Sequence, residues 1–465
     1  MRAHPVAAPQ PQGPTLERRL SAFDASAIVI SNVIGAGIFV TPPVIAGLVP
    51  HPAAMLGVWV AGGLLAFAGA MAYAELAALR PRAGGEYVYL REAFGPIPAF
   101  LTGWTSFVAG FSGAIAAQAV GLATYLGRFV GAAGDRTPLV TIPLPGLDLV
   151  VSPQAVVAIA AIALLAAIHI RGLGPGRAVQ NLLAGLKISA LVAFVALGFA
   201  FGRGSTAGFT AGEAVTAGGW LLAMIPVMFT YSGWNAASYV AEEVREPGRN
   251  VPLALAMGTA AVIAIYLALN LLYLYAMPVT ELAGLQRGVL DTTAERLFGT
   301  GLADLLAAFT IVSIAASMSA MTLAGPRVYF AMARDGLFPT PAARVHPRYR
   351  TPAVAIVAQS AFAALLVLSG TLSQLLIYTG FAITLFAAVA VAAVFVLRRR
   401  QAAEERPFRA WGYPVAPALF VVAGLVLVGN EIWRNPRASL AGLAVIAAGL
   451  PIYWFMRRPR RTGAR

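Results

Sequence analysis

Two glycine-containing segments interrupt long apolar stretches of the chain, and their backbone groups suit a charged ligand. In the first, Gly35 and Gly37 precede Pro42 and Pro43; in the second, Gly233 lies 198 residues after Gly35. Glycine weakens a helix and proline removes an amide donor, so both segments are predicted to break. A break frees amide hydrogens that favour an anion at the N-terminus of the second half-helix. It also frees carbonyls that suit an ammonium group, so an α-amino acid matches the two breaks.

The same small residues also fit an alternative in which the helix is intact. Gly35, Ala36 and Gly37 would then let a neighbouring helix approach closely, as small residues do between membrane helices. Interruptions in both halves of the chain favour the binding interpretation. Non-helical backbone at membrane depth occurs where it lines a cavity or is buried in protein.

Lys187 is the only lysine of the chain and lies within an apolar stretch. With a predicted helix start at Val179, the side chain is ~12 Å deep at a rise of 1.5 Å per residue. That depth is beyond easy snorkelling to the interface. An ionisable group inside a membrane span is costly and indicates a functional role; the alternative is a stabilising contact between helices.

The composition shows what kind of elements must position these residues. Of 465 residues, 59% are hydrophobic and 11% are charged, and the mean hydropathy is +0.77. A soluble domain is about 45–50% apolar and about 25% charged. Apolar runs near twenty residues, long enough to cross a ~30 Å hydrocarbon layer, recur along the chain. Twelve spans are predicted, at 24–48, 53–79, 97–127, 152–170, 179–202, 219–241, 253–277, 301–326, 352–369, 374–397, 414–433 and 439–456.

The distribution of basic residues predicts the orientation in the membrane. Twelve spans place both termini on one side, and most of the 33 Lys and Arg lie in the loops of that side. The positive-inside rule assigns this side to the cytoplasm. We therefore predict a multi-pass protein of the cytoplasmic (inner) membrane with both termini cytoplasmic. The net charge of +14 then reflects topology and not a nucleic-acid partner.

Other functional classes lack the residues that they need. The chain has no cysteine and its four histidines are far apart in sequence, so neither a disulfide nor a metal site is predicted, and no cofactor is expected. An integral membrane enzyme would need a nucleophile with a base, or clustered His and carboxylates. A membrane sensor would need a soluble domain. Both classes stay open only as unsupported alternatives to a transporter.

The carboxylates near the span ends are interpreted as structural ion pairs. Glu75 is expected to pair with the nearby arginines at positions 80 and 82. Glu242 and Glu243 are expected to form a network with the arginines at positions 245 and 249.

Four stretches resemble the motifs of the amino acid–polyamine–organocation (APC) transporters. They are 34–42 in the first span; 73–76 and 84–87 around the second; 233–235 with Glu242, Glu243, Pro247, Asn250 and Pro252 at the sixth; and 327–330, 333–336 and Pro339 at the eighth. Together they cover the chain from about 20 to 370. The sixth-span block is most similar to the L-type amino acid transporter branch.

The resemblance implies an all-α integral membrane protein with the LeuT-like fold. Its twelve transmembrane helices would form a five-plus-five inverted repeat with two extra helices. The implied divisions are a disordered cytoplasmic leader (1–20), the first repeat (21–202), the second repeat (219–397), the last two helices (398–456) and a basic cytoplasmic tail (457–465).

The resemblance also implies a role for each candidate site residue. The backbone of Gly35, Ala36 and Gly37 would hold the substrate carboxylate, and the carbonyls near Val33 and Phe229 would take the amino group. Ser232 and Gly233 would border the side-chain pocket. Trp234 would be a gating aromatic, or else an ordinary packing residue. The Lys187 ammonium would replace a sodium ion and bridge the first helix near Gly35 to the hydroxyl of Ser317.

The implied function is transport of a neutral L-amino acid by alternating access, without sodium. Exchange and proton symport are both left open. A carrier of cationic amino acids or polyamines is the alternative, although the carboxylate that such members can have is missing at Ser232. Eukaryotic L-type carriers bind an ancillary glycoprotein through a cysteine between the third and fourth helices. This chain has no cysteine, so no disulfide-linked subunit is expected.

Overall fold

The computed structural model describes residues 15–35, 37–145, 147–209, 212–285, 288–299, 301–370 and 372–457, and α-helices dominate this part of the chain. Ala36, residues 1–14 of the predicted leader (1–20) and residues 458–465 of the predicted tail (457–465) lie outside the described residues. In chain order the helices are α1 (Ala22–Val33), α2 (Gly37–Leu48), α3 (Pro52–Leu79), α4 (Glu86–Phe94), α5 (Pro96–Thr105), α6 (Phe111–Leu126), α7 (Pro153–Ile170), α8 (Leu173–Phe201), α9 (Ala217–Thr230), α10 (Ala236–Tyr239), α11 (Pro247–Ala276), α12 (Val279–Ala283), α13 (Val289–Phe298), α14 (Ala303–Ala324), α15 (Pro326–Arg334), α16 (Ala353–Ser369), α17 (Leu372–Arg400), α18 (Val415–Arg434), α19 (Pro436–Ala447) and α20 (Gly449–Arg457).

Membrane-spanning length and composition are confirmed for most of the predicted spans. Within the described residues, nine continuous helical stretches are long and apolar enough to cross a membrane, and three of them join two of the helices named above: α5 with α6, α14 with α15, and α19 with α20. The α1–α2 pair, bent by 50°, makes a tenth if it is counted as one span. Two shorter apolar helices, α9 and α16, lie at the predicted sixth and ninth spans. The five-plus-five inverted repeat stays a prediction.

The structure departs from a purely helical chain in the segment between the third and fourth predicted spans. There, β1 (Val140–Leu144) and β2 (Leu147–Val151) pair as an antiparallel hairpin, with Val140 opposite Val151. Three α-helices lie wholly outside the predicted spans, α4, α12 and α13, and α15 lies outside them except for Pro326. The fifth span begins at Leu173, earlier than the predicted Val179, so Lys187 lies near the middle of α8.

The two interrupted spans contact several other helices of the bundle. We call α1 with α2 the first broken span, and α9 with α10 the second broken span. α1 packs against α8, α10, α11 and α14, and α2 packs against α9 and α12. A capping box starts α1: the Asp24 amide donates to the Ser21 hydroxyl at 3.2 Å, and the Ser21 amide donates to the Asp24 carboxylate at 2.8 Å.

One end of the bundle carries most of the described arginines, and we call it the basic end. It is defined by Arg80, Arg91, Arg327, Arg334 and Arg398 with the segments around them. The expected partners of Glu75 are wrong: it accepts hydrogen bonds from Arg398 and Arg406 instead. The reason is helix geometry, because residues five positions apart point about 140° away from each other.

The expected partners of Glu242 and Glu243 are also wrong. Glu242 pairs with Arg334 at 2.8 Å, and Glu243 pairs with Arg327 at 2.7 Å. Both side chains of the Glu243–Arg327 pair are almost fully buried. These partners come from α15, which packing brings to the end of the second broken span. The separation of these residues along the sequence does not predict their contact.

Candidate functional site

The helical breaks lie where the sequence predicts them, and they face each other. α1 ends at Val33 and α2 begins at Gly37, while α9 ends at Thr230 and α10 begins at Ala236. The Asn32 side-chain amide donates to the Gly233 carbonyl at 3.1 Å. Gly233 has a φ of +98°, and a Cβ there would lie 2.6 Å from the Asn32 side chain. Glycine is therefore required for both the backbone turn and the close contact.

Gly37 forms a second close contact between the breaks. A Cβ added to Gly37 would lie 3.2 Å from Cγ2 and Oγ1 of Thr230 and 3.3 Å from its Cα. The Thr41 and Thr230 hydroxyls lie 2.9 Å apart, one turn further along α2. The start of α2 therefore lies in close contact with the end of α9.

The carbonyls predicted to receive an amino group already accept hydrogen bonds in this structure. The Val33 carbonyl accepts from the Gly35 amide at 2.8 Å and lies 3.0 Å from the Tyr266 hydroxyl. The Phe229 carbonyl accepts from the Ser232 amide at 3.0 Å. A substrate ammonium group would thus have to share or displace these donors.

The other predicted residues of the second break differ in their surroundings. Ser232 is partly buried within the turn that follows α9. Trp234 is 4% exposed and packs edge-on between Tyr73, with ring centroids 4.9 Å apart, and Phe420, at 5.4 Å. Its ring therefore packs against α3 and α18, behind the break.

Lys187 reaches the first break from α8. Its ammonium donates to the Ile34 carbonyl at 2.5 Å, to the Ser317 hydroxyl at 2.8 Å and to the Ser31 carbonyl at 3.3 Å. The Ser317 oxygen also lies 2.8 Å from the Ser31 carbonyl and 3.0 Å from the Ile34 carbonyl. Lys187 is 0% exposed, and its three contacts are neutral oxygens. Such a shell of carbonyl and hydroxyl oxygens is typical of a bound cation.

Tyr266 is a site residue that the sequence analysis missed. It is fully buried in α11, and its hydroxyl lies 3.0 Å from the Val33 carbonyl and 3.1 Å from the Thr230 carbonyl. A single hydroxyl thus bridges the last residues of α1 and α9. A tyrosine in an apolar span is ordinarily a packing residue, so no sequence signal marked it.

Comparison with known proteins gives the family. A family model described as amino acid permease matches residues 20–454. The serine/threonine exchanger SteT of Bacillus subtilis is 29% identical over 446 residues, covering 95% of this chain and 98% of the exchanger. The human b(0,+)-type amino acid transporter 1 is 29% identical, covering 96% of this chain and 89% of the relative. The human cystine/glutamate transporter is 27% identical, covering 96% and 87%.

These relatives are transporters, which argues against an enzyme. Within the described residues, no group of three or more His, Asp or Glu side chains is placed to hold a metal ion. The match extends over nearly all of the chain and agrees with the family resemblance of the first, second, sixth and eighth spans. The chain therefore belongs to the amino acid permease family of the APC superfamily.

Proposed function

We propose that this chain is a sodium-independent carrier of neutral L-amino acids that works by alternating access in the cytoplasmic membrane. The observation that supports it best is the contact of Lys187 with the first break. A fixed ammonium there supplies the positive charge that a bound metal cation would otherwise bring. We infer that exchange is the transport mode, because a relative matching 95% of the chain is a serine/threonine exchanger.

The substrate carboxylate would bind at the start of α2. The amides there are the orphan donors of a helix N-terminus, and the helix dipole adds a favourable potential for an anion. A side chain at position 37 would be crowded against Thr230 beside these amides. The amino group would approach the ends of α1 and α9, where it would compete with the Tyr266 hydroxyl for the Val33 carbonyl.

The polar side chains around the breaks favour a small neutral substrate. Asn32, Thr41, Thr230 and Ser232 are uncharged. A cationic side chain would need a carboxylate in the pocket, because a buried unpaired charge is strongly unfavourable. We therefore infer an uncharged side chain of small to medium size.

The family also supports a proposal for the architecture. We infer the LeuT-like arrangement, with residues 21–202 and 219–397 as inverted repeats, and both termini in the cytoplasm. The basic end would then face the cytoplasm under the positive-inside rule.

Ligand-dependent stability tests the substrate class. Serine, threonine, alanine and leucine are each expected to raise the Tm of the purified protein, because a ligand that binds only the folded state stabilises it by mass action. At about a hundred times the Kd, the stabilisation is about 2.7 kcal/mol. A differential scanning fluorimetry panel with arginine, lysine and putrescine provides the comparison. Stabilisation by these cations alone would favour the polyamine and cationic amino acid alternative.

Replacing Tyr266 tests whether its hydroxyl supports the breaks. Tyr266→Phe is expected to lower the rate of exchange about tenfold, since one donor for two buried carbonyls is lost at a cost of about 1–3 kcal/mol. Uptake of labelled serine into proteoliposomes preloaded with serine measures the rate. Tyr273→Phe, also in α11 and buried, is the matched control. Equal rates for Tyr266→Phe and the parent would exclude the bridging role.

A further inference from the structure

One interior carboxyl at the basic end differs from the others in its partners. Five other carboxyls of this end each form an ion pair with an arginine among the described residues: Glu75, Glu92, Glu242, Glu243 and Asp335. Glu86 begins α4, is partly buried, and forms no ion pair within the same part of the chain. Its contacts are neutral: the Tyr239 hydroxyl donates to it at 2.8 Å and the Asn235 amide at 3.3 Å.

The titratable groups that face Glu86 are phenols. Tyr73 from α3, Tyr89 from α4, Tyr239 from α10 and Tyr329 from α15 all interact with it electrostatically. Phenols are neutral at physiological pH, so these side chains supply no compensating charge.

Most charged groups on the neighbouring elements pair with one another, and Arg82, between α3 and α4, forms no ion pair with any described carboxylate, Glu86 included. On α15, Arg327 is bound by Glu243 and Arg334 by Glu242. Arg91 of α4 is bound by Asp335, which also accepts from the hydroxyl of Tyr87. Arg80 at the end of α3 pairs with Glu92 and Glu404. A negative charge on Glu86 therefore has no cation of its own.

Glu86 connects α4 to the second broken span. Besides the side-chain contacts, the Gly84 amide donates to the Tyr239 carbonyl at 3.1 Å. Gly85 has a φ of +53°, and a Cβ there would lie 2.6 Å from the Tyr239 ring. The two glycines thus let α10 approach closely enough to cover the carboxyl.

The basic end is closed around this contact. The amides of Arg19 and Leu20 both donate to the Glu243 carbonyl at 2.9 Å, and the Arg245 amide donates to the Leu20 carbonyl at 2.9 Å. The segment before α1 is therefore attached to the segment after α10. If this end opens, α10 must separate from α4 or move with it relative to α1.

Closing this end changes the proton affinity of Glu86. Burial raises the pKa of Glu86 to about 7, and the bonds from Tyr239 and Asn235 oppose the shift only in part. Contact with water would return the pKa towards the ordinary value of about 4.3. The closed form thus binds the proton more tightly than the open form. By linkage, low pH favours closure and high pH favours opening.

We propose that Glu86 is a proton-binding site coupled to the basic end: it takes up a proton when that end closes over it and releases the proton when that end opens. The O–H bond forms on a carboxylate oxygen with a proton from water, and the same proton returns to water on opening. A cavity of about 370 Å³ lies at the basic end and is lined in part by Ala83 and Val88, which flank Glu86 in the sequence. The inference rests on the alternating access proposed above and adds a proton step to it.

The absence of cysteine from the sequence allows a direct test of opening. Ser26 is 4% exposed in α1, with its hydroxyl 3.4 Å from the Ala254 carbonyl of α11. A Ser26→Cys variant is labelled with a polar maleimide at each pH. Its labelling rate is divided by the labelling rate of an exposed reference variant, Ala132→Cys, at the same pH. The normalised rate is expected to rise about tenfold from pH 6 to pH 8, as a pKa of about 7 in the closed form requires.

Variants of Glu86 and its partner distinguish this site from other titrating groups. Glu86→Gln should remove the pH dependence, whereas Glu405→Gln, an exposed change at the same end, should keep it. Tyr239→Phe removes a bond that lowers the pKa of Glu86, so its profile should shift to higher pH. A flat profile in the Ser26→Cys parent, or an unchanged profile in Glu86→Gln, would overturn the proposal. Labelling needs no substrate, so its result is independent of whether amino acids are transported.

Discussion

Replacing Lys187 by alanine is expected to reduce amino acid transport to below about one-hundredth of the parent rate. The substitution removes the ammonium that donates to the Ile34 and Ser31 carbonyls, and the single Ser317 hydroxyl can then donate to only one of them. Each buried polar group left unpaired costs about 1–3 kcal/mol, and each 1.4 kcal/mol is about a factor of ten in an equilibrium. We expect the equilibrium between conformations of the first broken span to shift by the free energy of these unpaired groups.

The decisive measurement compares exchange in proteoliposomes with sodium and with choline on both sides. The parent is expected to transport equally in both, since the ammonium already occupies the cation position. Leu186→Ala, at the adjacent and exposed residue of α8, is the matched control and should transport like the parent. Gel filtration establishes that each variant is folded. Strict sodium dependence in the parent, or full activity in Lys187→Ala, would remove the cation-substitute role.

Gly37→Val is expected to abolish both uptake and substrate-dependent stabilisation. The first added carbon would already lie 3.2 Å from two side-chain atoms of Thr230, closer than ordinary packing allows, and the two further methyls need additional space. Overpacking of this kind costs about 1–3 kcal/mol. The strain would push α2 away from α9 and crowd the amides that we assign to the carboxylate.

The same substitution at Gly47 provides the control. Gly47 lies in the same helix and is exposed, and a Cβ added there would have no neighbouring atom within 4 Å. Gly47→Val should therefore insert, fold and transport nearly as the parent does. Gly37→Ala should be intermediate, because it adds one carbon at the contact distance. Parent-like uptake by Gly37→Val would contradict the assignment of the carboxylate site to the start of α2.

The positions of the spans and breaks were predictable because their causes are local. Apolar length fixes where a helix crosses the membrane, and Gly35, Gly37 and Gly233 weaken helices wherever the chain packs. That Lys187 lies inside a span followed from the apolar stretch around it, although the helix begins at Leu173 and not at the predicted Val179. Its contact with Ser317 was implied by the family resemblance, and the distance of 2.8 Å agrees with that placement.

The partners of the buried polar groups were decided by tertiary structure. Glu75, Glu242 and Glu243 are bound by arginines that are distant in sequence, because helix faces and long-range packing select the partner. Tyr266 bridges the breaks only because α11 packs against α1.

The sequence by itself determined that this chain is a membrane protein with two interrupted helices and one deeply buried lysine. These features depend on composition and on residues that are neighbours along the chain. Only the tertiary structure decided that Glu86 would lie covered by Tyr239 without an arginine, and that the Val33 carbonyl would be bonded by Tyr266. Such facts depend on which helices meet and at what distance, and local sequence patterns carry no information on either.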